Sequence, residues 1–138
     1  MAFVFSDKAT AECTVDGRTV PETDAAPDSS LVQRGHVAIT GRAGSGYQIQ
    51  WNAKKLADLP PAVHDLLFFH ECAHAQIPTT DELRANCVGL QTMRAAGRGG
   101  FAVESKLAAY YGAGNVYWEK TLRCADAAAV SPQPRTTP

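Results

Sequence analysis

At Pro60 the hydrophobic period of this 138-residue chain changes, and that change limits what the chain can build. Upstream, Val37 and Ile39, then Tyr47, Ile49 and Trp51, alternate with other residues at the period of half-buried strands. Downstream, Pro61 suits a first helical position, and Val63, Leu66, Leu67 and the run from His70 to His74 continue one helical face until Pro78 stops it. Thr79 or Thr80 can cap a second helix running to about Ala96 and ended by Gly97. VESKLAAYY and NVYWEKTLRCADAA read as two further helices.

The front of the chain holds the short β-like runs FVF and ECTV, then the polar PETDAAPDSS, read as a turn or loop. LVQRGHVAIT and GYQIQWN follow as two strands joined by a flexible loop, GRAGSG. Those glycines lack the Lys-Ser/Thr and following helix that a phosphate cradle needs. The fold class is therefore α+β, a small N-terminal β-sheet followed by a helical half. The length suits one domain, residues 1–130, with SPQPRTTP, residues 131–138, as a disordered tail.

A net charge of −1 gives no electrostatic reason to expect nucleic acid or an anionic membrane as partner. No apolar run approaches the roughly 20 residues of a membrane span. The opening MAFVFSDKAT lacks the basic start and apolar core of a signal peptide, although a mature form with its signal removed reads the same. Cys13, Cys72, Cys87 and Cys124 form no CxxC pair, which argues against a four-thiolate zinc site. Two disulfides in an exported protein are expected, the alternative being four buried thiols in a cytosolic one.

HECAH, residues 70–74, carries the chemistry. Residues four apart on a helix lie about 40° apart around the axis and one turn apart along it. His70 and His74 can therefore offer two imidazoles to one ion. Glu71, about 100° round from His70, can act on a water at that ion. Zinc lowers the pKa of such a water towards about 7 and polarises a scissile carbonyl, while the glutamate takes the proton and passes it to the leaving amine. The competing reading is a helix whose histidines sit in the core or on the surface. Two histidines at this spacing around a glutamate, after the apolar LLFF, favour the metal.

A catalytic zinc needs three protein ligands and an open position. If the next helix returns antiparallel about a tight corner, His74 sits level with Glu82 and His70 with Asn86. Glu82 then becomes the third ligand and Asn86 accepts a hydrogen bond from the other nitrogen of His70. Ala85 is small enough to let the helices approach. Glu82 could instead complete a capping box with Thr79, and Asp81, Glu104 or His36 could supply the ligand. Cys72 lies about 160–200° from both histidines, so a Cys72–Cys87 link is disfavoured against links from each to Cys13 or Cys124. His36 and His64 otherwise have no placed role.

HECAH followed by ELRAN resembles the gluzincin metallopeptidases, in which a glutamate lies four residues before an Asp or Asn on the helix after HExxH. The stretch YQIQWNAKKLADLP resembles the strand and linker that precede the active-site helix in the minigluzincins, and the likeness spans about Gly46 to Ala96. Two departures are visible: only seven residues separate His74 from Glu82, and Asn86 stands where many relatives have Asp. The resemblance implies a zinc-dependent peptidase acting on a peptide or protein substrate, with Glu71 as general base. It also implies that substrate lies along a sheet edge, with the Tyr47–Trp51 strand as the candidate edge. Tyr110, Tyr111 and Tyr117 are available as oxyanion donors, and the sequence selects none of them. Two rival readings stand beside this one: a non-proteolytic zinc-binding interaction module, and a cytosolic regulatory peptidase cutting a transcription factor.

Overall fold

The computed structural model describes residues 1–130; the expected disordered tail lies outside the described residues. Four short strands open the chain as two hairpins, β1 (Phe3–Val4) with β2 (Thr10–Ala11), and β3 (Thr14–Val15) with β4 (Arg18–Thr19). β5 (Glu22–Asp24) then joins β6 (Ala38–Ala43) and β7 (Gly46–Trp51) in a mixed sheet of order β5-β7-β6. Between them lies the short helix α1 (Ser30–Gln33), and α2 (Ala53–Ala57) follows the sheet. The helical half comprises α3 (Pro61–Gln76), α4 (Glu82–Ala95), α5 (Phe101–Tyr111) and α6 (Val116–Val130).

The α+β order read from the periods is the order observed. α3 is buried around most of its circumference, from Ala62 and Val63 through Leu66, Phe68 and Phe69 to Ala75. Phe68 and Phe69 meet Phe3 and Phe5, and Phe3 continues to Trp51, so the aromatic core joins β1, β7 and α3. Each such side chain contributes roughly 1.5–3 kcal/mol on burial. α4 packs along α3, and α6 packs on α4. An N-terminal sheet region thus covers a central HExxH helix backed by further helices, a zincin-like arrangement. Among the described residues no helix is long and apolar enough to cross a membrane.

Four local expectations are corrected. Tyr47–Trp51 is the central strand and not the edge, because PETD, expected as loop, forms β5 and pairs with β7 in parallel. A polar segment can do this because its backbone alone makes the ladder, while Glu22 accepts a 2.8 Å hydrogen bond from the Trp51 indole. The strand over α3 at the sheet's edge is β6. The GRAGSG loop shrinks to Gly44–Ser45, since the ladder runs from Ala38↔Trp51 to Ala43↔Gly46, and Gly44 takes the positive φ of 59° that the tight turn requires. Leu31–Gln33 is helical, with the Ser29 hydroxyl capping Val32 N–H, so the strand starts only at Ala38. α4 starts after an Asp81 cap, one to two residues later than the threonines suggested.

All four cysteines are paired, Cys13 with Cys72 and Cys87 with Cys124. The first bridge ties α3 to the segment between β2 and β3, and the second ties α4 to α6. No free thiol is therefore expected under denaturing, non-reducing conditions. Cys13→Ser/Cys72→Ser, which opens a link between positions 59 residues apart, should lower the unfolding free energy by about 2–4 kcal/mol in urea titration.

Candidate metal centre

His70, Glu71 and His74 lie on α3 with relative exposures of 5%, 7% and 8%. Their donor atoms fall within 4.8 Å of one another, a cluster able to hold a metal ion. The two imidazole Nε2 atoms are 3.2 Å apart, as the i, i+4 spacing on one helix face allows. Each ring is oriented from its other nitrogen. His70 Nδ1–H donates to Asn86 Oδ1 at 2.9 Å, and His74 Nδ1–H donates to the Thr79 carbonyl at 2.7 Å. These partners are acceptors, so they assign the proton of a neutral ring to Nδ1 and leave both Nε2 lone pairs facing the same point.

Glu82 completes the convergence. Its Oε1 lies 2.8 Å from His70 Nε2 and 3.2 Å from His74 Nε2. Three electron-pair donors meeting in this way repel one another unless a cation sits among them. A proton answers part of that demand. Burial pulls the His70 pKa down, but the hydrogen bond to Glu82 and the charge of Glu71 outweigh it and raise it above the ordinary histidine value. The hydrogen bond from His70 pulls the Glu82 carboxyl down to about 2, against some desolvation. A divalent metal answers the demand fully. The donor triangle has sides of 2.8, 3.2 and 3.2 Å. Tetrahedral zinc with bonds of about 2.0–2.1 Å asks for about 3.3 Å between ligand atoms. The donor set, two imidazoles and a carboxylate, also suits zinc. This is a zinc-metalloenzyme-like site.

The other ligand candidates lie elsewhere or are committed. Asp81 Oδ1 caps α4 by accepting from Leu83 N–H and Arg84 N–H. It takes the capping role considered for Glu82, and the capping-box contact of Glu82 with Thr79 is replaced by the contacts to the histidines. Glu104 is held by a bidentate pair with Arg94. His36 is exposed on the α1–β6 connection, and His64 Nδ1 pairs with Asp65 at 2.8 Å. Of the tyrosines, Tyr117 stands beside the site: its hydroxyl donates to the Glu82 carbonyl at 3.1 Å, and burial raises its pKa above the ordinary value. Tyr110 is half exposed on α5.

Three contributors have no local signal in the sequence. Thr40 on β6 places Oγ1 2.6 Å from Glu71 Oε1 and 3.0 Å from the Glu71 carbonyl. Thr121 is the second: its Oγ1 accepts from Asn86 Nδ2 at 3.0 Å and donates to the Tyr117 carbonyl at 2.9 Å, steadying the amide that meets His70. This chain runs from α3 through α4 into α6. Gly89 is the third: a Cβ there would lie 2.9 Å from the His70 backbone nitrogen. Its absence lets α4 approach α3 closely, three residues beyond Asn86. The strand signal at β6 places Thr40 on a face, but not its partner 31 residues away.

No family model, curated protein or solved structure matches the chain.

Gly89→Ala should push α4 away from α3. We expect a loss of about 1–3 kcal/mol in chemical denaturation. Zinc should also be held at least tenfold more weakly in chelator competition, because His70 loses the register of Asn86 and Glu82.

Proposed function

We propose that this chain is a zinc-dependent peptidase of the gluzincin kind, with zinc held by His70, His74 and Glu82 and with Glu71 as general base. The observation that carries the reading is the convergence of two buried imidazoles and a carboxylate beside a further carboxylate that is not part of the triangle. A zinc site with only a structural task has no need of Glu71, which favours catalysis over the non-proteolytic zinc-binding module. When bound, zinc supplies Lewis acidity, polarising a carbonyl and making water acidic near pH 7.

The chain's own groups then have distinct tasks. Asn86 and Thr79 keep the imidazoles in the tautomer that leaves Nε2 free. Glu71 takes the proton from the attacking water and returns it to the leaving amine. Thr40 can serve both states of that carboxyl. With Glu71 ionised, its hydroxyl donates to Oε1; with Glu71 protonated, the hydroxyl accepts from the carboxyl and turns its own proton to the Glu71 carbonyl. β6 is the strand along which an extended peptide can add, since it pairs with β7 on one side only among the described residues.

The two disulfides support an exported, oxidising location over the cytosolic regulatory alternative. The described residues support one domain, because the aromatic core spans the sheet and the helices.

Metal content and peptide cleavage should be measured together. The parent should carry one zinc and cleave; Glu82→Ala should lose most of the zinc; Glu71→Gln should keep the zinc and lose cleavage by at least about 10²-fold. Zinc retained in Glu82→Ala would remove Glu82 from the ligand set, and cleavage retained in Glu71→Gln would end the general-base assignment.

Thr40 gives a finer test. Thr40→Val should keep zinc and KM and lower kcat by about tenfold, with Thr40→Ser restoring most of it. A drop in zinc content instead would show that Thr40 supports the fold and not the carboxylate.

A further inference from the structure

A cleft of about 780 Å³ opens between the β3–β4 hairpin, the β6–β7 hairpin and the C-terminal end of α3. Ala75 and Gln76, one and two residues beyond His74 on α3, line it. The strand and helix run in the same direction here. Thr40 meets Glu71, and two residues further along β6 Arg42 shares the cleft with Ala75 and Gln76. Alternate residues of a strand share a face at about 6.8 Å spacing. Arg42 is therefore on the same side of the sheet as Thr40, one side-chain step from the group over Glu71.

The cleft carries a positive charge balance. Arg18 comes from one hairpin and Arg42 from the other, against the single acid Asp16. Neither arginine has a carboxylate within ion-pair distance among the described residues, whereas Arg94 and Arg98 are both paired. The Arg42 guanidinium is supported from below by the Tyr47 ring, 5.2 Å from its centroid. This cation–π contact engages none of its N–H groups in an ion pair, and a guanidinium can offer two of them to a planar anion such as a carboxylate. The whole chain is slightly acidic, at −1, so any attraction for an acidic peptide has to be local to this cleft.

We propose that this cleft is a specificity subsite for an acidic side chain, and that the substrates are peptide segments with Asp or Glu close to the scissile bond. The proposal rests on the peptidase reading above. A peptide pairing antiparallel to β6, as β7 does, runs from the Arg42 end towards Thr40. The recognised acid then lies on the N-terminal side of the scissile bond, within about two residues of it.

The test is binding to the zinc-loaded Glu71→Gln protein, read by fluorescence anisotropy. The probes are a labelled alanine-rich octapeptide with two glutamates and the same peptide with glutamines in their place. The glutamate peptide should bind about fivefold more tightly at low salt, with the advantage vanishing near 1 M salt, where screening acts over about 3 Å. Arg18→Gln/Arg42→Gln should abolish the difference. Arg123→Gln, an exposed arginine on α6 that removes the same kind of charge away from the cleft, should leave it intact. Equal affinity for the two peptides overturns the proposal. So does a preference that survives the double substitution, or one that Arg123→Gln removes equally well. Failure of the peptidase reading would show separately, as absence of zinc and of cleavage in the parent, and the same binding comparison on the protein as purified would still decide the charge preference.

Discussion

The rest of this structure depends on one tension: α3 is buried on nearly all sides, yet it carries His64, Asp65, His70, Glu71 and His74. A buried polar group without a partner costs more than most single apolar contacts return. Asp65, His70, Glu71 and His74 have each drawn a partner from outside the helix, and His64 pairs with Asp65 beside it. Asp65 accepts from the Ser6 amide and hydroxyl, at 2.9 and 2.7 Å, and from His64. Glu71 takes Thr40 from the sheet. His70 takes Asn86 and Glu82 from α4, and His74 takes the Thr79 carbonyl from the corner between the helices. The polar contacts of α3 thus reach the N-terminal segment, the sheet and the next helix. The site is built from the same contacts that allow the helix to be buried.

Gly89 makes this geometry possible on the α4 side. Asn86 has so short a side chain that it reaches the His70 imidazole only if the helix axes are close. A glycine at the crossing brings backbone against backbone, and Ala85, fully buried, keeps the neighbouring turn small. Glu82 reaches the histidines from a different environment: its side chain is 68% exposed, while the histidines are buried. The donor triangle therefore stands at the boundary between core and solvent. Two of its corners are fixed by packing, and the third is reachable from outside.

Much of this was legible in the sequence because it is local. The i, i+4 histidines, the helix stop at Pro78 and the level match of Glu82 and Asn86 with His74 and His70 follow from helical geometry and the seven residues between His74 and Glu82. Glu82 touches both histidines and not His74 alone, which the level argument could not resolve, because a flexible glutamate covers a full helical turn. What the sequence hid is long-range. Nothing in PETD marks a strand, since its ladder hydrogen bonds come from backbone groups and its one buried side chain, Glu22, looks like a loop residue. With β5 unseen, β7 looked like an edge. Thr40 and Thr121 are ordinary strand and helix threonines until the fold sets them against Glu71 and Asn86.

The disulfides explain how a small chain can hold such a site with accuracy. At 138 residues the core does not need cross-links merely to fold. The bridged positions are informative in another way. Cys72 directly follows Glu71, and Cys87 directly follows Asn86, so each helix that faces the donor triangle is stapled at the residue beside one of its polar groups. Cys72 lies about 160–200° round the helix from both histidines, on the side away from the triangle, and Cys87 lies about 100° round from Asn86. Cys87–Cys124 also fixes α6 three residues from Thr121, the group that holds the Asn86 amide. A catalytic constellation tolerates only about 0.5 Å of misplacement, and a chain of this size has little surrounding structure to enforce that by packing alone. Staples one residue away from the hydrogen-bonded groups place the restraint where the tolerance is smallest.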